Sequence, residues 1–367
     1  MTSKVYSTLP RQYYTSDQIF REETQRIFYE RWVCVGRMEQ IPNPGDYFVQ
    51  QVGLESLIIV RTRNDGIRAH YNVCRHRGAR LCGSKAQGHF REAMQCPYHA
   101  WTYSLDGKLI GAPHMNEVPD FKKEDYPLHS AQVHTWEGFI FVNLAAKPQP
   151  FDPLFAELSD KFAAWQISKL RSAHRIEYDV QANWKLLAEN YSECYHCPLV
   201  HPALSKLSHY ESGENDFVKG VFLGGYMELT HGSMTLDGAI CVTPLSTVSG
   251  EDLNRVYYYL LFPNLLLSLH PDYVMFHTVW PQSPDRTLIV CEWLFDPAVM
   301  AQPDFDPAPA VEFWDMTNRE DWHVCEITQE GVGSRVYTPG PAYVGQEDLI
   351  AAFDHEVLKA LEHPVLN

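Results

Sequence analysis

Two short arms of the sequence carry cysteine and histidine at spacings that suit metal chemistry. Cys74-Arg-His76 is followed, after 19 intervening residues, by Cys96-Pro-Tyr-His99. Each arm offers one thiolate and one imidazole where a strand-like run enters a turn. Four ligands of this softness close around zinc or an iron–sulfur cluster. Zinc fingers usually pair Cys with Cys and His with His, whereas here each arm mixes the two. Mixed arms suit a [2Fe–2S] centre with two Cys on one iron and two His on the other, which raises the reduction potential. The imidazoles then face outward, where an electron can pass to a neighbour. A structural zinc site and a chance scatter of Cys and His are the competing readings.

A second constellation lies in Asn183-Trp-Lys-Leu-Leu-Ala-Glu-Asn-Tyr-Ser-Glu-Cys-Tyr-His-Cys-Pro-Leu-Val-His201. On a regular helix the spacing from His196 to His201 turns through about 500°, leaving the rings about 140° apart, too far to grip one ion. Pro198 breaks the helix and swings His201 back towards His196. Glu193 sits one turn before His196 on the same face. Two neutral imidazoles with a carboxylate suit Fe(II) with positions left open for O2. Taken alone, the His pair also fits a structural role. A third ligand must come from far along the chain. In a helix expected at about 311–330, Trp314, Asp321, Cys325 and Thr328 share one face, while Asp315, Arg319, Trp322 and Glu326 form a more charged one. The acid aligned with Trp314 and Cys325 points inward, with Asp315 the alternative; His323 reads as surface and Cys325 as core.

The elements that must position these residues change character along the chain. Residues 13–32 read as an amphipathic helix with Ile19, Phe20, Ile27, Phe28 and Trp32 on its apolar side. From about Asp46, short strands at 47–49, 56–61, 66–73, 98–110 and 138–144 alternate with turn signals such as Asn64-Asp65-Gly66 and Asp106-Gly107. The Pro-rich run 147–153 reads as a linker. Beyond it come a helix at 154–166, a strand at 171–180, and a helix capped by Asn183 with Trp184, Leu187, Ala188, Tyr191 and Tyr195 on one stripe. The aromatic and aliphatic runs of 217–295 imply one large antiparallel sheet. A loop at 296–310 precedes the helix of the third ligand, and a last helix spans 346–361. The fold class is α+β: an N-terminal helical segment at 1–40, an all-β domain at 41–150 and a sheet-and-helix domain at 151–367.

With 367 residues, 45% of them hydrophobic and 21% charged, the chain builds a sizeable core, which excludes intrinsic disorder and fibrous repeats. Thirty basic against 46 acidic residues give a net charge of −16, which repels a nucleic-acid backbone. The start of the chain has no apolar signal region, no stretch approaches a membrane span, and nine cysteines in a long chain argue against a secreted disulfide framework. A cytoplasmic protein with no membrane or nucleic-acid partner is expected. No Gly-X-Gly-X-X-Gly follows a strand, and no ferredoxin-type Cys run is present. NAD(P)H therefore reaches this chemistry only indirectly, through a separate reductase.

Cys74-Arg-His-Arg-Gly-Ala-Arg-Leu-Cys82 and Cys96-Pro-Tyr-His-Ala-Trp101 resemble the cluster motif of the bacterial Rieske non-heme iron oxygenases, although the gap between the arms is slightly longer than usual. Cys82 lies near the cluster without ligating it. Residues 183–201 resemble the mononuclear-iron helix of the same family, and Asn318-Arg-Glu-Asp-Trp-His-Val-Cys-Glu-Ile-Thr-Gln-Glu-Gly331 its third-ligand helix. The resemblance covers nearly the whole chain. It implies a Rieske [2Fe–2S] cluster on Cys74, His76, Cys96 and His99, and a mononuclear iron on His196, His201 and Asp321 in a helix-grip catalytic domain. It also implies a homotrimer served by a flavin and iron–sulfur reductase. Glu193 stands where ring-hydroxylating members usually carry Asp, and the implied role is an electron bridge from His99 of a neighbouring subunit. Glu at this place resembles the carnitine, glycine betaine and stachydrine oxygenases, implying hydroxylation of a carbon next to nitrogen by a monooxygenase. An ammonium head group favours an aromatic cage. Tyr257 and Tyr259 on one strand face, with Trp280 and Trp293 nearby, are the candidates, although rings on a large sheet are mostly core. Hydroxylation or cis-dihydroxylation of an aromatic acid is the alternative substrate reading. A Rieske electron carrier and a zinc-stabilised binding protein are the alternatives of other classes.

Overall fold

The computed structural model describes residues 7–362, apart from Asp65, Lys85, His231, residues 342–344 and Gln346, and the side chain of Ser159. The turn at Asp65 and the start of the last helix at Gln346 lie outside the described residues. The chain divides into two compact units, residues 28–151 and residues 7–27 with 152–362.

The first unit is all β. Strands β1 (Val33–Arg37), β2 (Asp46–Val52), β3 (Glu55–Arg61), β4 (Ile67–Tyr71), β5 (Gln87–His89), β9 (Ser130–Trp136) and β10 (Phe139–Asn143) form an antiparallel sheet in the order β1-β10-β9-β4-β3-β2-β5. A smaller sheet joins β6 (Ala93–Gln95), β7 (Thr102–Ser104) and β8 (Leu109–Gly111). The unit begins at Phe28 rather than at residue 41, because Val33–Arg37 pairs with Phe139–Val142 as an edge strand. Thus the helix expected over 13–32 does not reach Trp32. Gly107 takes φ +85° in the expected turn, where a Cβ would stand 2.7 Å from the His70 ring.

In the second unit, the N-terminal stretch forms two short helices, α1 (Gln12–Thr15) and α2 (Asp17–Glu23), and then a π-helical turn at Thr24–Phe28. Ser16 ends the first and caps the second by accepting from Ile19 N–H. After α3 (Phe151–Lys161), strands β11 (Arg171–Val180), β12 (Glu214–Phe217), β13 (Phe222–Glu228), β14 (Arg255–Leu261), β15 (Leu265–Leu269), β16 (Val274–Ser283) and β17 (Arg286–Phe295) make one antiparallel sheet ordered β11-β17-β16-β15-β14-β13-β12. The described residues of 229–254 form loops and one short 3-10 turn, not strands. Helices α4 (Trp184–Tyr191), α5 (Cys197–Val200), α6 (Leu204–Leu207), α7 (Pro297–Met300), α8 (Ala308–Val332) and α9 (Asp348–Leu361) complete the unit. This is the expected α+β architecture. Among the described residues no helix is long and apolar enough to cross a membrane.

Helix α4 is buried on nearly every side, so its polar residues need partners. Lys185, fully buried, donates to Glu23 Oε1 at 2.5 Å, and Trp184 Nε1 donates to Glu23 Oε2 at 2.8 Å. Tyr14 Oη donates to Glu189 Oε1 at 2.8 Å, and Asp354 of α9 lies beside that carboxyl. Burial raises the Glu189 pKa to about 7, against the pull of the Tyr14 hydroxyl and Lys185. Burial and the neighbouring Glu189 raise Asp354 well above the carboxylate range. The folded state therefore keeps protons that the unfolded chain releases near pH 4. Stability is expected to fall as pH rises from about 4.5 towards 7, by up to about 1.4 kcal/mol per pH unit for each proton kept. Asp354→Asn removes one of these groups, so urea unfolding of the variant at pH 5 and pH 7 should show a shallower decline than the parent. An equal decline would place the proton uptake elsewhere.

Candidate metal centres and active-site cavity

The two Cys/His arms fold into matching loops. Cys74 N–H donates to Ala79 O and Gly78 N–H to Cys74 O, at 2.8 and 2.9 Å. In the same pattern Cys96 N–H donates to Trp101 O and Ala100 N–H to Cys96 O, at 2.8 and 3.1 Å. The fourth residue after each cysteine is left-handed, φ +74° at Gly78 and +55° at Ala100. Ala100 holds a Cβ in that region at a cost of about 1 kcal/mol. The loop geometry buries Cys74 and Cys96 and exposes His76 and His99. The imidazoles lie 4.7 Å apart, with His76 stacked on Trp101. Tyr103 Oη stands 3.3 Å from Cys74 Sγ and accepts Arg75 N–H. Buried Asn72 accepts from Leu81 and Cys82 N–H and donates to Cys82 O, so Cys82 is held through its backbone. Two buried thiols behind two exposed imidazoles fit a [2Fe–2S] cluster that passes electrons outward through its histidines.

The second site is assembled where α4 stops. Asn183 caps that helix by accepting from Lys185 N–H, as the sequence predicts. The helix ends before Ser192, so Tyr195 is exposed rather than on its stripe. Pro198 then occupies the first turn of α5, where its missing N–H costs nothing. His196 and His201 bracket this short helix, with His201 N–H donating to Cys197 O. Their Nε2 atoms come within 3.1 Å of each other. Asp321 Oδ1, from the middle of α8, lies 2.9 Å from His201 Nε2 and 3.3 Å from His196 Nε2. Donors held cis on a small cation at about 2.1 Å would be spaced about 3 Å apart, so this triangle fits a mononuclear iron.

The outer contacts fix the tautomers. Glu193 Oε1 is 2.5 Å from His196 Nδ1, and Glu320 Oε2 is 2.7 Å from His201 Nδ1. Each Nδ1–H donates to a carboxylate, which turns the Nε2 lone pairs towards each other and raises their basicity. Burial opposes protonation of His196, but Asp321 and Glu193 outweigh it and lift its pKa to about 10. Burial would raise Asp321, yet the two imidazoles hold it below the usual carboxylate range. Glu193 also accepts Tyr195 N–H through its other oxygen. Cys197 Sγ stands 4.0 Å from His196 Nε2, but it is joined to Cys194 and offers no thiolate. Asp315 is engaged elsewhere, accepting from Tyr178 Oη and Arg319 Nε. Glu320 was not anticipated; its signal in the sequence is a second acid directly beside Asp321.

The triangle opens on a cavity of 390 Å³ whose wall includes Tyr191, Tyr226, Tyr258, Met275, His277, Trp314 and Trp322. The four rings expected to form the wall are not part of it. On β14 it is Tyr258 that faces the cavity, so its neighbours Tyr257 and Tyr259 point to the opposite side of the sheet. There they do make a cation cage, but for Lys161, whose Nζ lies 5.5 Å and 5.7 Å from their centroids and 5.6 Å from Phe217. Lys161 is also ion-paired with Asp216, which accepts from Tyr259 Oη. Trp280 alternates away from His277 and donates to Thr278 Oγ1, and Trp293 is fully buried against His174. Trp322 belongs to the buried side of α8, not to its charged face.

A chain that joins an outward-facing cluster loop pair to a two-His, one-carboxylate centre opening on an aromatic cavity has the parts of a Rieske-type oxygenase. Residues 31–122 match the Rieske [2Fe-2S] domain, and residues 167–363 match the ring hydroxylating alpha subunit (catalytic domain). The chain belongs to this ring-hydroxylating alpha-subunit family. It is similar to the glycine betaine monooxygenase oxygenase subunit of Pseudomonas aeruginosa (31% identity, covering 91% of this chain and 84% of the relative). It is similar also to the carnitine monooxygenase oxygenase subunit of Escherichia coli K12 (28%, 90% and 85%). Among solved structures, a quaternary ammonium Rieske monooxygenase studied for carnitine oxidation and inter-subunit electron transfer superposes with TM-score 0.85 at 26% identity, covering 98% of this chain and 96% of the other. The protein is thus an O2-dependent oxygenase with a Rieske cluster and a mononuclear iron, the oxygenase subunit of a system that needs a reductase partner.

Proposed function

We propose that the protein hydroxylates a carbon bonded to nitrogen in an ammonium compound, releasing an aldehyde and an amine. In this reading Cys74, Cys96, His76 and His99 hold the cluster, and His196, His201 and Asp321 hold the mononuclear iron. The bound iron supplies O2 activation, drawing on electrons that originate in a flavin and iron–sulfur reductase. Glu193 keeps His196 oriented and links it to His99 of the partner subunit in a homotrimer, so that an electron crosses between copies. The enzyme is placed in the cytoplasm. One oxygen atom of O2 enters the C–H bond and the other leaves as water, consuming two electrons and two protons. A methyl on quaternary nitrogen then becomes a hydroxymethyl group, whose C–N bond breaks to give formaldehyde, tertiary amine and a proton.

The observation that carries the reading is the ring-walled cavity beside the metal triangle. Tyr191 and Tyr258 meet edge to face at 6.3 Å, and Tyr258 meets Trp314 at 6.2 Å. Such π-faces attract an ammonium by about 0.5–2 kcal/mol per good contact once water is excluded. A single turnover tests it. Chemically reduced, iron-loaded protein is mixed with O2 and trimethylammonium compounds or aromatic acids, and products are read by mass spectrometry. Formaldehyde in step with O2 consumption is expected; a diol or phenol from an aromatic acid, with no aldehyde, would show that the substrate class is wrong.

A further inference from the structure

The cavity wall carries hydrogen-bonding groups that the metal centre does not use, and one chain of donors fixes the most buried of them. Tyr178 Oη donates to Asp315 Oδ1, so its oxygen is free to accept, and it accepts from Asn318 Nδ2 at 3.4 Å. This turns Asn318 Oδ1 towards His277 Nε2, 3.2 Å away. A carbonyl oxygen only accepts, so Nε2 carries the hydrogen and Nδ1 is a bare acceptor. Burial pushes the His277 pKa down to about 4, which keeps the ring neutral. Nδ1 is buried without a partner, and so is Nε1 of Trp322, whose ring meets His277 edge to face at 6.0 Å. Both residues belong to the wall, and both are at least nine-tenths buried. An unsatisfied acceptor beside an unsatisfied donor matches a hydroxyl group, which can give its hydrogen to one and accept from the other.

Charge narrows the ligand further. Among the described wall residues there is no Lys and no Arg, but there are four carboxylates: Glu193, Glu214, Asp321 and Asp348. Glu193 and Asp321 belong to the metal end, whereas Glu214 is exposed and Asp348 half-buried. Arg255, stacked 4.0 Å from the wall residue Tyr226, is itself paired with Glu251. A substrate carboxylate would therefore find no Lys or Arg among the described wall residues and would meet like charge at the solvent-facing wall, and His277 Nδ1 would have no hydrogen to offer it.

We infer that this cavity takes a hydroxyl-bearing ammonium monocation rather than a carboxylate zwitterion, with His277 as the acceptor that selects the hydroxyl. This rests on the ammonium reading above and goes beyond it. The test uses the holoenzyme with (2-hydroxyethyl)trimethylammonium, ethyltrimethylammonium and (carboxymethyl)trimethylammonium, following formaldehyde formed per O2 consumed. The hydroxyl cation should exceed each of the other two at least about tenfold in kcat/KM. In His277→Leu its advantage over the ethyl compound should shrink to about twofold or less. His277→Gln, which offers an amide oxygen as acceptor, should restore part of it. Preference for the carboxymethyl compound would overturn the inference and leave the ammonium reading standing. Aldehyde from none of the three would sink both. If His277→Leu does not fold, the comparison among substrates in the parent enzyme decides alone.

Discussion

Asp321→Ala should lose its mononuclear iron and keep its colour. The carboxylate closes a triangle whose other corners are two imidazoles held by Glu193 and Glu320. Without it, two neutral nitrogens face the metal, too few donors to retain Fe(II) through dialysis. The cluster loops belong to the other compact unit. Iron should thus drop from about three to about two per chain, the visible spectrum should persist, and turnover should fall by at least about a thousandfold. Metal analysis beside absorbance checks this directly. Full iron content in the variant would move the third ligand elsewhere, and Asp315, tied to Tyr178 and Arg319, is poorly placed to take over.

Glu193→Ala separates two duties of one side chain. Loss of its bond to His196 Nδ1 should weaken iron binding about 10–100-fold, the usual cost of removing such an outer partner. Iron in excess restores occupancy. What it should not restore is electron delivery, if Glu193 also bridges to the cluster of the partner subunit. With both metal centres filled, the reduced cluster of the variant should be reoxidised by substrate and O2 at least about a hundredfold more slowly than in the parent. Stopped-flow absorbance of the cluster gives that rate. Normal reoxidation at full iron would confine Glu193 to orienting His196.

The legible parts of the molecule were those where local chemistry suffices. Asn183 caps α4 because a short polar side chain can reach the free N–H groups, and the strand expected at 171–180 is the full length of β11. The cysteines and histidines announce their chemistry by type and spacing. Where the sequence misled, the missing information was tertiary. Alternation along β14 tells that Tyr257 and Tyr259 share a side, but not which side is the cavity, and the answer was Tyr258. In the same way Trp322 sits among charged neighbours in the helical projection, yet α8 turns it to the sheet. Ser16 was readable as a helix start with Asp17 behind it, but the periodicity of 13–32 hid the break. Glu320 and His277 gain meaning only from the partners that the fold brings to them.

The order of the two units along the chain bears on how the protein is made. Residues 28–151 are contiguous, so that unit has its strand partners in hand once Phe151 has left the ribosome. The other unit straddles it: Glu23 precedes the lysine it neutralises by 162 positions, and Tyr14 precedes Glu189 by 175. Its opening helices emerge first and must wait, unpaired, through synthesis of the whole β unit. Domains tend to complete in the order of synthesis. Here the electron-carrying unit is finished before the oxygen-using one can begin to close around its buried lysine.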